Sequence, residues 1–260
     1  MKQYIIDAFT SKPFSGNPAA VCIMDAWPDE AAMMLLAREN NLSETAFIVP
    51  ENGAYRLRWF TPTTEIELCG HATLASAFAI LNLHAPGSNA VCFHTRSGAL
   101  HVTRHGTLYE MDFPQRTQRE IPVTDAMQRA FGVRPLRAFL GADLLCVFEN
   151  EAQVRALTPD QAMLAQLDGR IQNATAPGDT ADCASRSFVP KHGIPEDPVC
   201  GSAHCQIAPY WARELGKTAI SACQASARGG RLHCELRGSE RLAISGEAVH
   251  IATSEIHVPL

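Results

Sequence analysis

The sequence predicts an α+β protein of two similar lobes, and three observations predict it. Strand-like segments fill most of the chain, two apolar helix-like segments interrupt them about half a chain apart, and both helices open on the same kind of turn. The turns are Glu67-Leu68-Cys69-Gly70-His71-Ala72 and Asp197-Pro198-Val199-Cys200-Gly201-Ser202-Ala203, their Cys-Gly pairs 131 positions apart. A pseudo-twofold of two related lobes explains that spacing better than chance. Each turn sets the first backbone N–H groups of a helix outward, where orphan donors and the positive end of the helix dipole attract an anion. Two such turns facing each other would form a cleft for a small carboxylate.

Residues 3–9 and 19–24 read as strands joined by the turn chemistry of Ser15-Gly16-Asn17-Pro18. Asp29 to Glu39, preceded by Pro28 and followed by Asn40-Asn41, has helix start and stop signals around Met33, Met34, Leu35 and Leu36. Strands follow at 45–49 and 55–60, with Glu44 where the first begins. The stretch from His71 to Leu83 is apolar nearly all round, and a helix without a polar face belongs inside a core. Strands near 90–94, 99–103 and 107–113 complete a sheet wrapped about it, and the polar, proline-flanked Pro114 to Pro122 reads as a linker. The lobes are therefore expected over 1–115 and 122–249, followed by a last strand near His250 to Val258. In the second lobe, strands near 136–140, 144–149, 170–175 and 183–189 precede a helix from Ser202 to Leu215, which Pro209 should kink or divide. Strands near 219–224, 230–236 and 242–248 close the pattern.

At 260 residues the chain can bury a large core, and 46% apolar with 19% charged residues is ordinary globular composition. The net charge of −5 comes with no basic block, which argues against nucleic-acid or membrane partners, so an anionic ligand must be held locally. Asp7 cuts short the opening apolar run, too brief for a secretory signal, and nothing approaches the roughly 20 apolar residues of a membrane span; a cytoplasmic protein is expected. Nine scattered cysteines without a C-x-x-C pair read as reduced thiols. Cys200-x-x-x-His204 lacks a second ligand pair, so no metal is expected, and the lack of a G-x-G-x-x-G or Walker-type loop leaves no nucleotide cofactor indicated.

Several blocks resemble the phenazine biosynthesis PhzF-like family. They are Asp7-Ala8-Phe9-Thr10 with Gly16-Asn17-Pro18-Ala19, Asn41 to Phe47, Phe60-Thr61-Pro62, Glu65 to Ala75, Glu196 to His204, Pro209-Tyr210-Trp211, and Gln224 through Arg228-Gly229-Gly230. The resemblance implies a diaminopimelate-epimerase-like fold, two lobes each with a mostly antiparallel sheet rolled around a central helix, with the strand near His250 to Val258 returning to the first lobe, and a homodimer. It also implies a cofactor-free isomerase, since the best understood member moves a proton between carbons of a dihydro-hydroxyanthranilate by means of a glutamate. The counterpart of that glutamate is Glu44; His71 and Asp197 would hold and polarise substrate, and Gly70, Gly201 and Ser202 would offer backbone donors to its carboxylate.

A proton shuttle needs a group that accepts from one carbon and returns the proton to another, which a carboxyl in a dry cleft can do. Two alternatives stay open. Cys69 and Cys200 occupy the places of the paired thiols of epimerases sharing the fold, and many PhzF-type relatives carry threonine at the position of Cys200. Thiols at helix N-termini have depressed pKa values, so a two-thiol racemase or epimerase of a small amino or imino acid is the first alternative. A protein that binds a small acid without turning it over is the second. Arg228 could reach a carboxylate from its tight turn, and Tyr210 with Trp211 reads as core.

Overall fold

The structure, a computed structural model, describes residues 1–257. The chain divides into two compact units, residues 1–112 with the segment from Ser245 onward, and Phe113–Ile244.

In the first unit, β1 (Lys2–Ala8) and β2 (Asn17–Ile23) pair antiparallel. Helix α1 (Glu30–Asn40) carries the chain over to β3 (Glu44–Glu51), which joins β2 in parallel, and β4 (Ala54–Phe60) returns antiparallel. The two-residue β5 (Glu65–Ile66) pairs with the end of β4 and leads into α2 (Gly70–Phe78). Strand β6 (Ala90–Thr95) then lies parallel to β4, and β7 (Gly98–His105) and β8 (Leu108–Pro114) continue antiparallel. The start and stop of α1 follow from its caps: the Asp29 carboxylate accepts from Ala31 N–H, and Asn41 closes the helix at φ 49°. Met33, Leu36 and Ala37 of α1 pack on Cys22, Phe47 and Phe60 of the sheet. Helix α2 is buried on every side from Gly70 to Ala77, as its unbroken apolar run requires.

The segment expected as a linker contains a strand, β9 (Arg119–Ile121), because its residues find a partner edge on β10 (Arg137–Leu140). Between them α3 (Asp125–Phe131) is capped by Thr124. Strand β11 (Leu144–Val147) follows, then α4 (Glu151–Ala156) and α5 (Gln161–Gln166), capped by Asn150 and Asp160. Next come β12 (Gln172–Pro177), β13 (Cys183–Phe188), the two-residue β14 (Glu196–Asp197), α6 (Gly201–Leu215), β15 (Ala219–Gln224), β16 (Gly230–Arg237) and β17 (Arg241–Gly246). The chain then returns to the first unit as β18 (Ala248–Glu255), paired antiparallel with β1. Val258, in the expected last strand, lies outside the described residues.

The wiring of the first unit recurs in the second. The order β1-β2-β3-β4-β6-β7, with β5 on β4, has the pairing senses antiparallel, parallel, antiparallel, parallel, antiparallel. The order β10-β11-β12-β13-β15-β16, with β14 on β13, repeats those senses step for step. Both parallel steps are made by crossovers, and the second crossover in each unit carries the central helix, α2 or α6.

Two helix expectations need correction. The apolar run after α2 does not continue as α-helix; Ala79–His84 widens into a π-helical turn in which Ala85 N–H bonds to Ile80 C=O at 2.9 Å. Asn82 supports that turn, donating to Phe78 C=O at 2.8 Å and accepting from Arg104 at 2.9 Å. Pro209 does not divide α6. A proline frees the carbonyl four residues back, and that carbonyl, on Cys205, accepts the Arg116 N–H at 2.9 Å.

Candidate active site

The first unit brings Glu44, Cys69 and His71 together. Glu44 opens β3, in register with Ala19 of β2, so its side chain sits at the strand end. His71 is the second residue of α2, fixed there because the β4–β5 pairing, Phe60 with Glu65, sets where the helix can start. The Glu44 carboxylate oxygen Oε2 lies 2.9 Å from His71 Nε2, with the side chains 12% and 4% exposed. On the other side of the ring, Asn17 Nδ2 lies 3.0 Å from Nδ1, and the Cys69 Sγ is 3.5 Å from the same nitrogen. With Asn17 donating, Nδ1 is the acceptor and Nε2, beside Glu44, carries the proton; the reversed amide serves the imidazolium.

Burial disfavours charge on His71, but its charge and hydrogen-bond interactions with Cys69 and Glu44 outweigh burial and hold its pKa well above the ordinary value. Burial pushes the Cys69 thiol up to about 11, and the Glu44 charge adds to this. These three residues are also the group with metal-ligand geometry among the described residues, their ligand atoms within 4.8 Å of one another. A tetrahedral zinc with bonds of about 2.0–2.1 Å would hold its nitrogen and oxygen ligands about 3.3 Å apart. The observed 2.9 Å is a hydrogen-bond separation, suited to a shared proton.

The second unit gathers Asp197, Cys200, Gly201 and Ser202 at the start of α6. Gln224 clamps the approach, accepting from Cys200 N–H at 2.9 Å and donating to Asp197 C=O at 2.7 Å. Ser226 Oγ donates to Pro198 C=O at 2.7 Å, which ties the turn bearing the half-buried Arg228 to the same approach. Cys200 Sγ lies 3.4 Å from Ser202 Oγ. Burial and then the Asp197 charge push the Cys200 thiol well above its ordinary pKa. The expectation of depressed thiol pKa values is thus corrected for both cysteines. Desolvation and a neighbouring carboxylate outweigh the helix terminus, and neither side chain makes a capping bond.

His204 is no metal ligand in this arrangement, since Nδ1 donates to Cys200 C=O at 2.8 Å and Nε2 meets Ser185 Oγ at 3.4 Å. Burial lowers its pKa to about 4. A histidine that charges near pH 6.5 when unfolded therefore contributes stability above that pH and loses it as pH falls toward 4. The expected loss is about 3 kcal/mol. Urea titrations at pH 7 and pH 4 should show this loss, and the His204→Gln variant should show less of it; an equal pH dependence in both proteins would refute the assignment. Tyr210 and Trp211 are core, 2% and 5% exposed, with the Trp211 indole donating to Thr175 Oγ1 at 2.9 Å.

A matched ion pair braces each helix approach. Arg58 of β4 forks onto Glu65 with both bonds at 2.7 Å, and Arg186 of β13 forks onto Glu196 at 2.9 and 2.8 Å. Both glutamates stand four residues before the cysteine of their turn. Bidentate pairs of this kind fix geometry as well as adding energy.

The profile of the PhzC-PhzF family, described as phenazine biosynthesis-like protein, matches residues 6–254. The chain belongs to this family. It is 47% identical over 253 residues to an uncharacterized isomerase of Pseudomonas aeruginosa, with 97% of each chain covered. A crystal structure of a PhzF family phenazine biosynthesis protein of Enterococcus faecalis superposes with a TM-score of 0.96 at 46% identity, covering 99% of both chains. The fold alone is shared with a probable proline racemase of Agrobacterium radiobacter, at a TM-score of 0.68 and 10% identity over 99% of this chain and 93% of that one. These likenesses place the protein among the isomerase-like members of the PhzF family, on a diaminopimelate-epimerase-like α+β fold. Among the described residues no helix is long and apolar enough to cross a membrane.

Sequence reasoning passed over Asn17 and Gln224 as site residues. Asn17 stood in a turn and in a family-like block beside Pro18, but its partner His71 is 54 positions away. Gln224 stood inside a family-like block, but its clamp on Cys200 and Asp197 spans 24 and 27 positions and appears only in the folded chain.

Proposed function

We propose that this PhzF-family protein is a cofactor-independent isomerase that moves a proton on a small carboxylate-bearing substrate, with Glu44 as the general acid and base. The observation that carries this function is the 2.9 Å pairing of Glu44 with a buried His71 that is itself held by Asn17. A carboxylate fixed in this way can take a proton from carbon and return it, while His71 orients it and balances its charge. Gly70, Gly201 and Ser202 would give backbone N–H groups to the substrate carboxylate, Asp197 would polarise the reacting part, and Arg228 would add a positive charge.

The two-thiol alternative has less support, because both thiols are held in their protonated form. A racemase of that type needs one of them as thiolate. Incubation with candidate hydroxy and amino acids in heavy water, followed by NMR of the recovered acid, tests the function. Deuterium at carbon is the expected result. Binding detected by thermal shift without any exchange would leave an acid-binding protein instead.

A further inference from the structure

The two units differ just after their central helices. In the second, α6 stays α-helical to Leu215 and reaches β15 through residues 216–218. In the first, the same step takes the π-helical turn Ala79–His84 and then residues 85–89 before β6 begins. Turns of this kind are rare and concentrate at functional sites. This one is held firmly, because Arg104 donates its backbone N–H to Asn89 C=O at 2.6 Å and its guanidinium to Asn82 and Asn89 at 2.9 and 2.8 Å.

Beside the turn lies a cavity of about 440 Å³ bounded by residues of the first unit. Sites for small molecules span about 300–1,000 Å³. Its floor is apolar and buried, made by Ile80 and Leu81 of the π-helical turn, 2% and 1% exposed, with Val91 of β6. Half-buried Tyr55, its ring 6.3 Å from that of Phe93, supplies an aromatic wall. The β4–β6 ladder starts at Tyr55 with Phe93, so residues 90–92 run on past β4 and leave room beside them. Across β6 and β7, Cys92 faces His101 and Ala90 faces Thr103, and all four line the cavity. Ala85 and Ala90 are exposed, which places the mouth at the surface. None of the described residues lining the cavity is Asp, Glu, Lys or Arg.

We infer that this cavity is a ligand site in its own right, for an uncharged aromatic molecule of one or two fused rings. The apolar floor and the Tyr55 wall suit a flat ring, and His101 with Thr103 offers polar partners to a single N–H or O–H on it. A carboxylate or ammonium group would lose its hydration there with no opposite charge to receive it. That separates the site from the anion-attracting turns. Neither Glu44, Cys69 nor His71 lines it, and Ile80 stands nine residues beyond His71, about 13 Å along a helix axis. The inference therefore stands whether or not Glu44 moves a proton.

Cys92 provides the test, since it alone among the nine cysteines is not buried. N-ethylmaleimide should modify the full chain at Cys92, located by peptide mass spectrometry, and Cys92→Ser should remove that label. Calorimetric titration with indole should give a Kd of about 1 mM or tighter. Indole at ten times that Kd should slow the labelling about tenfold by mass action. Indole-3-acetate, which carries the same ring with a carboxylate, should protect at least about tenfold less well. Ala85→Phe and Ala90→Phe, each filling the mouth from an exposed position, should melt within a few degrees of wild type and bind indole at least about tenfold more weakly. Any one of five results would overturn the site: a Cys92 that resists the reagent, no heat with indole, no protection by it, equal protection by indole-3-acetate, or undiminished binding in both filled variants.

Discussion

Replacing Glu44 with glutamine is expected to lower deuterium incorporation into substrate by roughly 10²–10⁴-fold, the range that a positioned acid–base group supplies. Glutamine keeps the size of the side chain and can still accept a hydrogen bond from His71 Nε2, whose present separation from Glu44 is 2.9 Å. It cannot take a proton from carbon. Cys69→Ser and Cys200→Ser should retain exchange within a few fold of wild type, because both thiols are held protonated by burial and a neighbouring carboxylate. The contrast is the decisive part of the experiment. Exchange that survives in Glu44→Gln and disappears in Cys200→Ser would assign the chemistry to the thiols.

The second large effect concerns the loop that delivers Asn17 to His71. Gly16 has φ +68°, and a Cβ there would stand 2.2 Å from the Ala8 carbonyl oxygen and 2.8 Å from Thr10 Cγ2. The oxygen belongs to β1 and cannot turn aside as a flexible side chain could. Gly16→Ala should therefore destabilise the protein by at least about 3 kcal/mol, combining a positive-φ penalty with overpacking against backbone. Gly132 provides the control. It also has positive φ, +76°, but nothing lies within 4 Å of its Cβ position, so Gly132→Ala should cost only about 1 kcal/mol. Thermal melts of the two variants should differ by several degrees. Equal melting points would show that the close approach to Ala8 is relieved at no cost.

Much of this architecture was legible before folding. The caps of α1, the apolar run of α2 and the two Cys-Gly turns are local signals, and each sits within a few residues of where the pattern placed it. Helices α3, α4 and α5 were missed because six or seven residues make barely two turns, too few for a periodic apolar stripe to stand out. What fixes them is a cap side chain and contact with the core, where Met127, Val154 and Leu164 all pack in one cluster. The π-helical turn and the uninterrupted α6 were illegible for another reason. Both depend on hydrogen bonds from distant residues, Arg104 to Asn82 and Arg116 to Cys205. The candidate site divides the same way. Glu44, Cys69 and His71 stand out by type and motif, whereas the Arg58–Glu65 and Arg186–Glu196 forks appear only when strand pairing aligns β4 with β5 and β13 with β14.

The pairing of β18 with β1, reinforced by the Met1 and Ile256 backbones bonding each other at 2.8 and 3.0 Å, sets an order of events during synthesis. The second unit is a continuous run of chain and can be completed as soon as residue 244 is available. The first unit begins earlier yet stays unfinished longer, with one edge of β1 unpaired until residues 248–255 are made. An unpaired edge of that kind is open to association with other chains. The half that carries Glu44 therefore needs a strand made after the whole of the other half before its sheet is complete.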